Sequence, residues 1–218
     1  TNWVNAVAVD YNTGNIYSGS FDGSIKKIDP DGNEITTGGW PFTGHSSVLR
    51  GVAVDSNTGN IHSVSQDDNT LKKIDPDGNE VWSFTGHTNA TYDVAVDLFG
   101  NVYSGSRDNT VKKIDPDGNE VWTFSGHTAS VHGVAVDSNG NVYSASGDKT
   151  VKKIDSSGNE VWSFTGHTGA TYDVAVDSNG NVYSASGDKT VKKIDSSGNE
   201  VWTFSGHTDR VQYVAVIG

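Results

Sequence analysis

Five histidines in this chain follow a glycine: Gly44-His45, Gly86-His87, Gly126-His127, Gly166-His167 and Gly206-His207. Their spacings are 42, 40, 40 and 40 residues. Histidine is a metal ligand and an acid–base group, but either role needs several donors converging on one point. Here each histidine occurs once per period beside the same neighbours, so a repeated structural hydrogen bond is the favoured reading. His62 and His132 fall outside this pattern and are assigned to the surface. Nearly every Asp, Glu and Ser also recurs at one position of the period, which suits scaffolding rather than an asymmetric catalytic constellation; no catalytic residue is assigned.

Other residue types could carry chemistry too. Asp115-Pro-Asp-Gly-Asn-Glu120 and Asp137-Ser-Asn-Gly-Asn141 have the alternating oxygen donors of calcium loops, without the twelve-residue spacing of a full one. Both stand where a chain must reverse, so they read as turns; calcium is the single cofactor considered, and none is assigned. Lys112-Lys113 and its counterparts read as a solvated rim balanced by Asp115 and Glu120. One Trp per period could stack on a sugar, but packing at the edge of a core is the commoner use.

The elements that position these residues follow from the repeat. Residues 134–162 recur unchanged at 174–202, and related versions begin at Val7, Val52 and Val94. A period near 40 is that of four-stranded propeller blades. Within residues 131–165 four strand-like runs appear: Gly133–Val136, Asn141–Ser146, Thr150–Ile154 and Glu160–Thr165. Asn139-Gly140 suits a tight reversal after the first, and Asp115-Pro116-Asp117-Gly118 shows the turn before the fourth. Thin inner strands (Val134-Ala135-Val136, Ser144-Ala145-Ser146) and a bulky outer one (Val161-Trp162, Phe164) are what radially packed blades require. The expected fold is therefore all-β: one propeller spanning residues 1–218, with inner strands starting near 6, 51, 93, 133, 173 and 213.

Composition narrows the function. The chain has 15 Lys and Arg against 27 acidic residues, a formal charge of −12, which opposes the basic surface that nucleic acid or an anionic membrane demands. No segment approaches a membrane span, and no signal or transit segment is visible. Cys and Met are absent. There is thus no disulfide or thiolate chemistry, and the missing Met points to a processed chain or an excised fragment.

The stretch GHTASVHGVAVDSNGNVYSASGDKTVKKID (residues 126–155) resembles a WD-repeat blade: GH before the first strand, S-x-S on the second, D-x-T entering the third, and a closing hydrophobic-Asp pair. That pair is Ile154-Asp155 where WD repeats have Trp-Asp. NVYSASGDKTVKKID with the following GNEVW equally resembles quinoprotein-type bacterial propeller repeats. The WD resemblance implies a network from the GH histidine to the turn Asp and a strand Ser: His127 with Asp148 and either Ser144 or Ser146, His45 with Asp68, His87 with Asp108, and His167 with Asp188. His207 has no downstream Asp and Asp22 no upstream His. Pairing these two implies five blades and leaves one inner strand redundant, since residues 208–216 align with residues 1–9.

The loops after GH and the residues before the third strand vary most. The resemblance places them on the propeller face that usually meets partners. Arg50, Tyr92, Arg107, His132, Tyr172 and Tyr213 are the candidate binding residues there. The expected function is a non-catalytic scaffold for protein–protein contact, part of a surface-associated or extracellular assembly, with self-association through the redundant strand. A lectin-like module with several equivalent glycan pockets is the alternative.

Overall fold

The structure, a computed structural model, describes residues 2–216. It contains twenty strands in five four-stranded antiparallel sheets, the blade pattern of a five-bladed β-propeller. Blade 1 holds β1 (Val4–Val9), β2 (Ile16–Ser20), β3 (Ile25–Ile28) and β4 (Glu34–Ile35). Blade 2 holds β5 (Leu49–Val54), β6 (Ile61–Ser65), β7 (Leu71–Ile74) and β8 (Glu80–Phe84). Blade 3 comprises β9 (Thr91–Val96), β10 (Val102–Ser106), β11 (Val111–Ile114) and β12 (Glu120–Phe124). Blade 4 comprises β13 (Val131–Val136), β14 (Val142–Ser146), β15 (Val151–Ile154) and β16 (Glu160–Phe164). Blade 5 comprises β17 (Thr171–Val176), β18 (Val182–Ser186), β19 (Val191–Ile194) and β20 (Glu200–Phe204). Two compact units divide the chain, one holding residues up to Ser104 with Ile114–Val121, the other Gly105–Lys113 with residues from Trp122 onward.

Each blade is a meander because its turns fit its sequence. Gly140 takes φ 79° and donates to Asp137 O at 3.0 Å, while Gly158 takes φ 92° and donates to Asp155 O at 3.0 Å. These are type I turns closed by a glycine in the left-handed region. The inner strands begin two residues before their expected starts, at Val4, Leu49, Thr91, Val131 and Thr171. The cause is a bulge, for example between Val131 and Gly133, which lets the strand pair on past the break in apolar alternation. Residues 211–216 form no strand, contrary to the expected start near 213. Their amides go elsewhere: Val211 N donates to Ser186 O at 3.0 Å, and Val214 N to Asp173 Oδ2 at 2.8 Å. Thr1, Ile217 and Gly218, included in the expected single domain, lie outside the described residues.

The core lies between blade faces. Tyr17, Ile25, Trp40 and Phe42 meet Leu49, Ile61 and Ile74 in one cluster, and Val64 and Leu71 meet Val94, Val102 and Ile114 in another. In the second unit Tyr143, Ala145, Val151 and Phe164 meet Val174, Val182 and Ile194. Fully burying one such Val, Leu or Ile contributes roughly 1.5–3 kcal/mol, so the faces dominate the stability.

The turn between the second and third strands carries strain. Gly23, Asn69 and Asn109 adopt positive φ there without difficulty, but Lys149 and Lys189 occupy the same position at φ 74° and 72°. A lysine in this region costs roughly 1–2 kcal/mol. Replacing Lys149 by Gly is expected to raise the unfolding free energy by about 1 kcal/mol in denaturant titration, whereas the same change at neighbouring Asp148 would lower it.

Candidate functional site

The histidines after glycine are buried and fully engaged in blades 2 to 5 as far as His167. His127 Nδ1 donates to Asp148 Oδ2 at 2.8 Å, and its Nε2 accepts from Ser144 Oγ at 2.8 Å. The strand serine is thus Ser144, while Ser146 Oγ turns to Ala129 O at 3.0 Å. His167 bonds Asp188 and Ser184 at the same distances, and His45 bonds Asp68 at 3.3 Å and Ser63 at 2.8 Å. His87 Nε2 meets Ser104 Oγ at 2.8 Å, and Asp108 accepts from Thr110. His207 differs: it is exposed, with no hydrogen bond among the described residues, and lies edge-on to Phe204. The Asp22 carboxylate is taken by Ser24.

Ser144, His127 and Asp148 have the connectivity of a hydrolase triad, but Ser144 is fully buried. No substrate can reach its hydroxyl. Burial lowers the proton affinity of His127 and His167, outweighing the pull of Asp148 and Asp188. The Asp148 carboxyl is raised by burial, but the bonds from Thr150, the Thr128 amide and His127 outweigh this and hold it at about 2. These are neutral, locked histidines serving as struts.

Two other expectations are corrected. His62 is wholly buried, because it takes the strand position held by Tyr17, Tyr103, Tyr143 and Tyr183 in the other blades. Burial first, then the charge of Lys73, drives its pKa down to about 3. The first lysine of each pair in blades 2 to 5 is also buried. Lys152 Nζ, for instance, reaches Glu160 Oε2 at 2.9 Å and Ser163 Oγ at 3.2 Å. Only the second lysine is nearer solvent, where Lys153 lies over the Tyr143 ring at 5.4 Å. The stem packs while the charge is paired across the strands.

Four of the candidate binding residues, Arg50, Tyr92, His132 and Tyr172, occupy the second position of the inner strands. The Arg50 guanidinium lies 5.7 Å from the Phe21 ring and 5.8 Å from the Tyr92 ring, and is held by Gln66 Oε1 at 2.6 Å. Trp3, exposed, stands edge-on to Phe21 at 5.6 Å. In the second unit His132 packs on Tyr172 at 5.4 Å, with the Arg210 guanidinium 5.9 Å from the same ring. Gly147 and Gly187 leave the room: a Cβ there would lie 3.4 Å from His132 Nε2 and 3.3 Å from Tyr172 Cε2. Arg107 is exposed. Tyr213 is exposed too, but it aligns with Asp173 rather than Tyr172; the second-position counterpart is Gln212. Trp3 and Arg210 were not anticipated, and their one sequence signal is an aromatic or cationic residue just before an inner strand.

The recurring Trp side chains of blades 2 to 4 each pack at the edge of the following blade. Trp82, Trp122 and Trp162 are half-buried, and their Nε1 donate to Pro116 O, Ser156 O and Ser196 O at 3.0, 3.1 and 3.1 Å. The turn carboxylates are likewise occupied: Asp115 Oδ1 accepts from the Asp117 and Asn119 amides at 3.0 and 2.8 Å. Among the described residues no group of three or more His, Asp or Glu converges as a metal site would.

Asp173 is a further half-buried carboxyl that the repeat pattern did not single out. It alternates with glycine in the inner strands, and a Cβ on Gly133 would lie 2.9 Å from the Asp173 Cα. Burial pushes its pKa up to about 6, against the pull of the Val214 and Val174 amides.

Five antiparallel four-stranded blades with buried His–Asp–Ser struts define a WD-repeat-like propeller with quinoprotein-type features. Residues 107–216, half of the chain, match the family described as outer membrane protein assembly factor BamB, and the chain belongs to that family. Residues 1–29 and 78–115 match the WD domain, G-beta repeat. The crystal structure of the WD40 β-propeller domain of Doa1 is similar, with a TM-score of 0.83 and 25% identity over 97% of this chain and 71% of that one. No curated protein sequence matches the chain.

Two carboxyls should respond to pH in opposite senses. The depressed Asp148 pKa contributes stability present above about pH 4 and lost as pH falls through about 2. Asp148→Asn is expected to cost about 1.5–3 kcal/mol at neutral pH and to flatten the acid limb of a thermal melt series. The raised Asp173 pKa contributes stability that is full below about pH 4 and lost as pH rises through about 6. Asp173→Asn should remove a decline of up to about 3 kcal/mol over that window, measured by the same melts.

Proposed function

We propose that this propeller is a non-catalytic protein-interaction scaffold, with its contact surface at the second positions of the inner strands. The observation that carries the reading is Arg50 held between Phe21 and Tyr92 and fixed by Gln66. Such a cation, pre-positioned between aromatic rings on an acidic chain, offers the residue types that dominate protein interfaces at little ordering cost. The WD-type fold supports a role in protein contact. The reading needs no cofactor. Peptide segments carrying carboxylate and aromatic groups match the arginines and rings best.

A displayed random-peptide library panned on the whole chain tests this. Enriched peptides should bind the wild type, and Arg50→Ala with Tyr92→Ala should weaken them by about tenfold or more. Enrichment indifferent to these changes would overturn the site. A glycan array bound specifically, and lost in Tyr92→Ala with Tyr172→Ala, would replace the reading with the lectin-like one.

A further inference from the structure

Among the described residues two blade faces are uncovered, and each is the counterpart of a face that is covered elsewhere. Blade 5 presents Val174, Val182 and Ile194 to blade 4, all buried. The same positions in blade 1 are Val7, Ile16 and Ile28. Val7 is 61% exposed against 4% for Val174, and the two isoleucines are half-buried where Val182 and Ile194 are at 0%. Blade 4 presents Phe164, 7% exposed, to blade 5; the corresponding Phe204 is 51% exposed and Trp202 beside it 42%.

The polar partners are missing at the same two places. Trp162 sits over Gly198, where a Cβ would lie 3.0 Å from its ring, and bonds Ser196 O. In blade 1 the corresponding glycine is Gly32, where an added Cβ would meet nothing within 4 Å, and Trp202 Nε1 has no hydrogen bond among the described residues. His207 and Asp22 stand apart from any histidine–aspartate pair, as described above. Residues 208–216 lie against blade 5 through Val211 and Val214 yet pair with no sheet.

We propose that copies of this chain join head to tail. The blade 5 face of one copy covers the blade 1 face of the next, with Trp202 over the Gly32 turn and Phe204 against Ile16 and Ile28. Residues 208–216 of the first copy pair with β2 of the second in place of β1, which brings His207 to Asp22. A second copy is the matching occupant because the two faces repeat, position for position, the faces that meet between blades 4 and 5. The contact is heterologous, so it propagates until a rotation closes it. It leaves Arg50 and Tyr92 in place but moves Arg210, which lies over the Tyr172 ring.

Native mass spectrometry and light scattering of the whole chain across a concentration series test this. Multiples of the chain mass, growing with concentration, are expected. Trp202→Glu with Phe204→Glu should weaken association by about 100-fold while leaving the melting temperature of the single chain unchanged, because both side chains are exposed there. Hydrogen exchange should show β1 amides losing protection, and those of residues 208–216 gaining it, in the assembled species. A chain that stays monomeric at every concentration, or assembly indifferent to the double substitution, would overturn the proposal. Retained protection of β1 in the assembly would overturn the strand exchange. Arg50→Ala with Tyr92→Ala should leave assembly intact, separating this outcome from the fate of the peptide-binding surface.

Discussion

Everything in this chain depends on one contact: an indole of one blade lying over a glycine turn of the following one. Trp82 over Gly118, Trp122 over Gly158 and Trp162 over Gly198 repeat it, each with the indole N–H donated to the carbonyl two residues before that glycine. The glycine is needed twice over, for its positive φ and because a side chain would meet the ring at about 3 Å. A four-stranded sheet of this length has little core of its own. It is stable because its neighbour covers it, so the docking of Trp on turn sets where each blade can stand.

Inside that frame the polar residues are structural to an unusual degree. Serines of the second strands are buried in blades 2 to 5, as are the histidines after glycine up to His167. Each serine hydroxyl that faces a histidine is satisfied by its Nε2, and each Asp that faces one gathers bonds from a threonine as well. Burying such groups unpaired would cost several kcal/mol, so the network can exist only complete. Among the described residues the exceptions are the hydroxyls of Ser65, Thr91 and Thr171, and His62, with neither ring nitrogen bonded. Burial holds His62 neutral, with its ring tilted against Trp82 at 5.8 Å.

The repeat made the strands and turns legible because each local choice is stated five times in nearly the same words. Periodicity located the strands, while the Asn-Gly and Asp-Gly pairs located the reversals. What periodicity could not carry was depth. His62 and Lys152 look like surface residues by type, but one inherits a tyrosine's buried place and the other threads its stem between strands to reach Glu160. The two-residue error at each inner strand has a similar origin, since a bulge shifts the apolar alternation without ending the pairing. Tyr213 was misplaced by one register position, which in a strand means the opposite face.

Identical strands also limit where specificity can reside. A position fixed by packing in every blade cannot distinguish one partner from another. Position two of the inner strand is free of that demand: it reads Asn5, Arg50, Tyr92, His132, Tyr172 and Gln212 along the chain, while the Val-Ala-Val that follows two residues on does not change. Asn5 spends its amide on Leu49 O at 3.2 Å, a structural use. Arg50 with Tyr92, and His132 with Tyr172, instead meet as cation and ring or ring and ring, with glycine or glutamine opposite to make room or to hold them. A scaffold built by duplication thus retains variation where backbone bonds do not need the side chain, and that is where recognition has room to diverge.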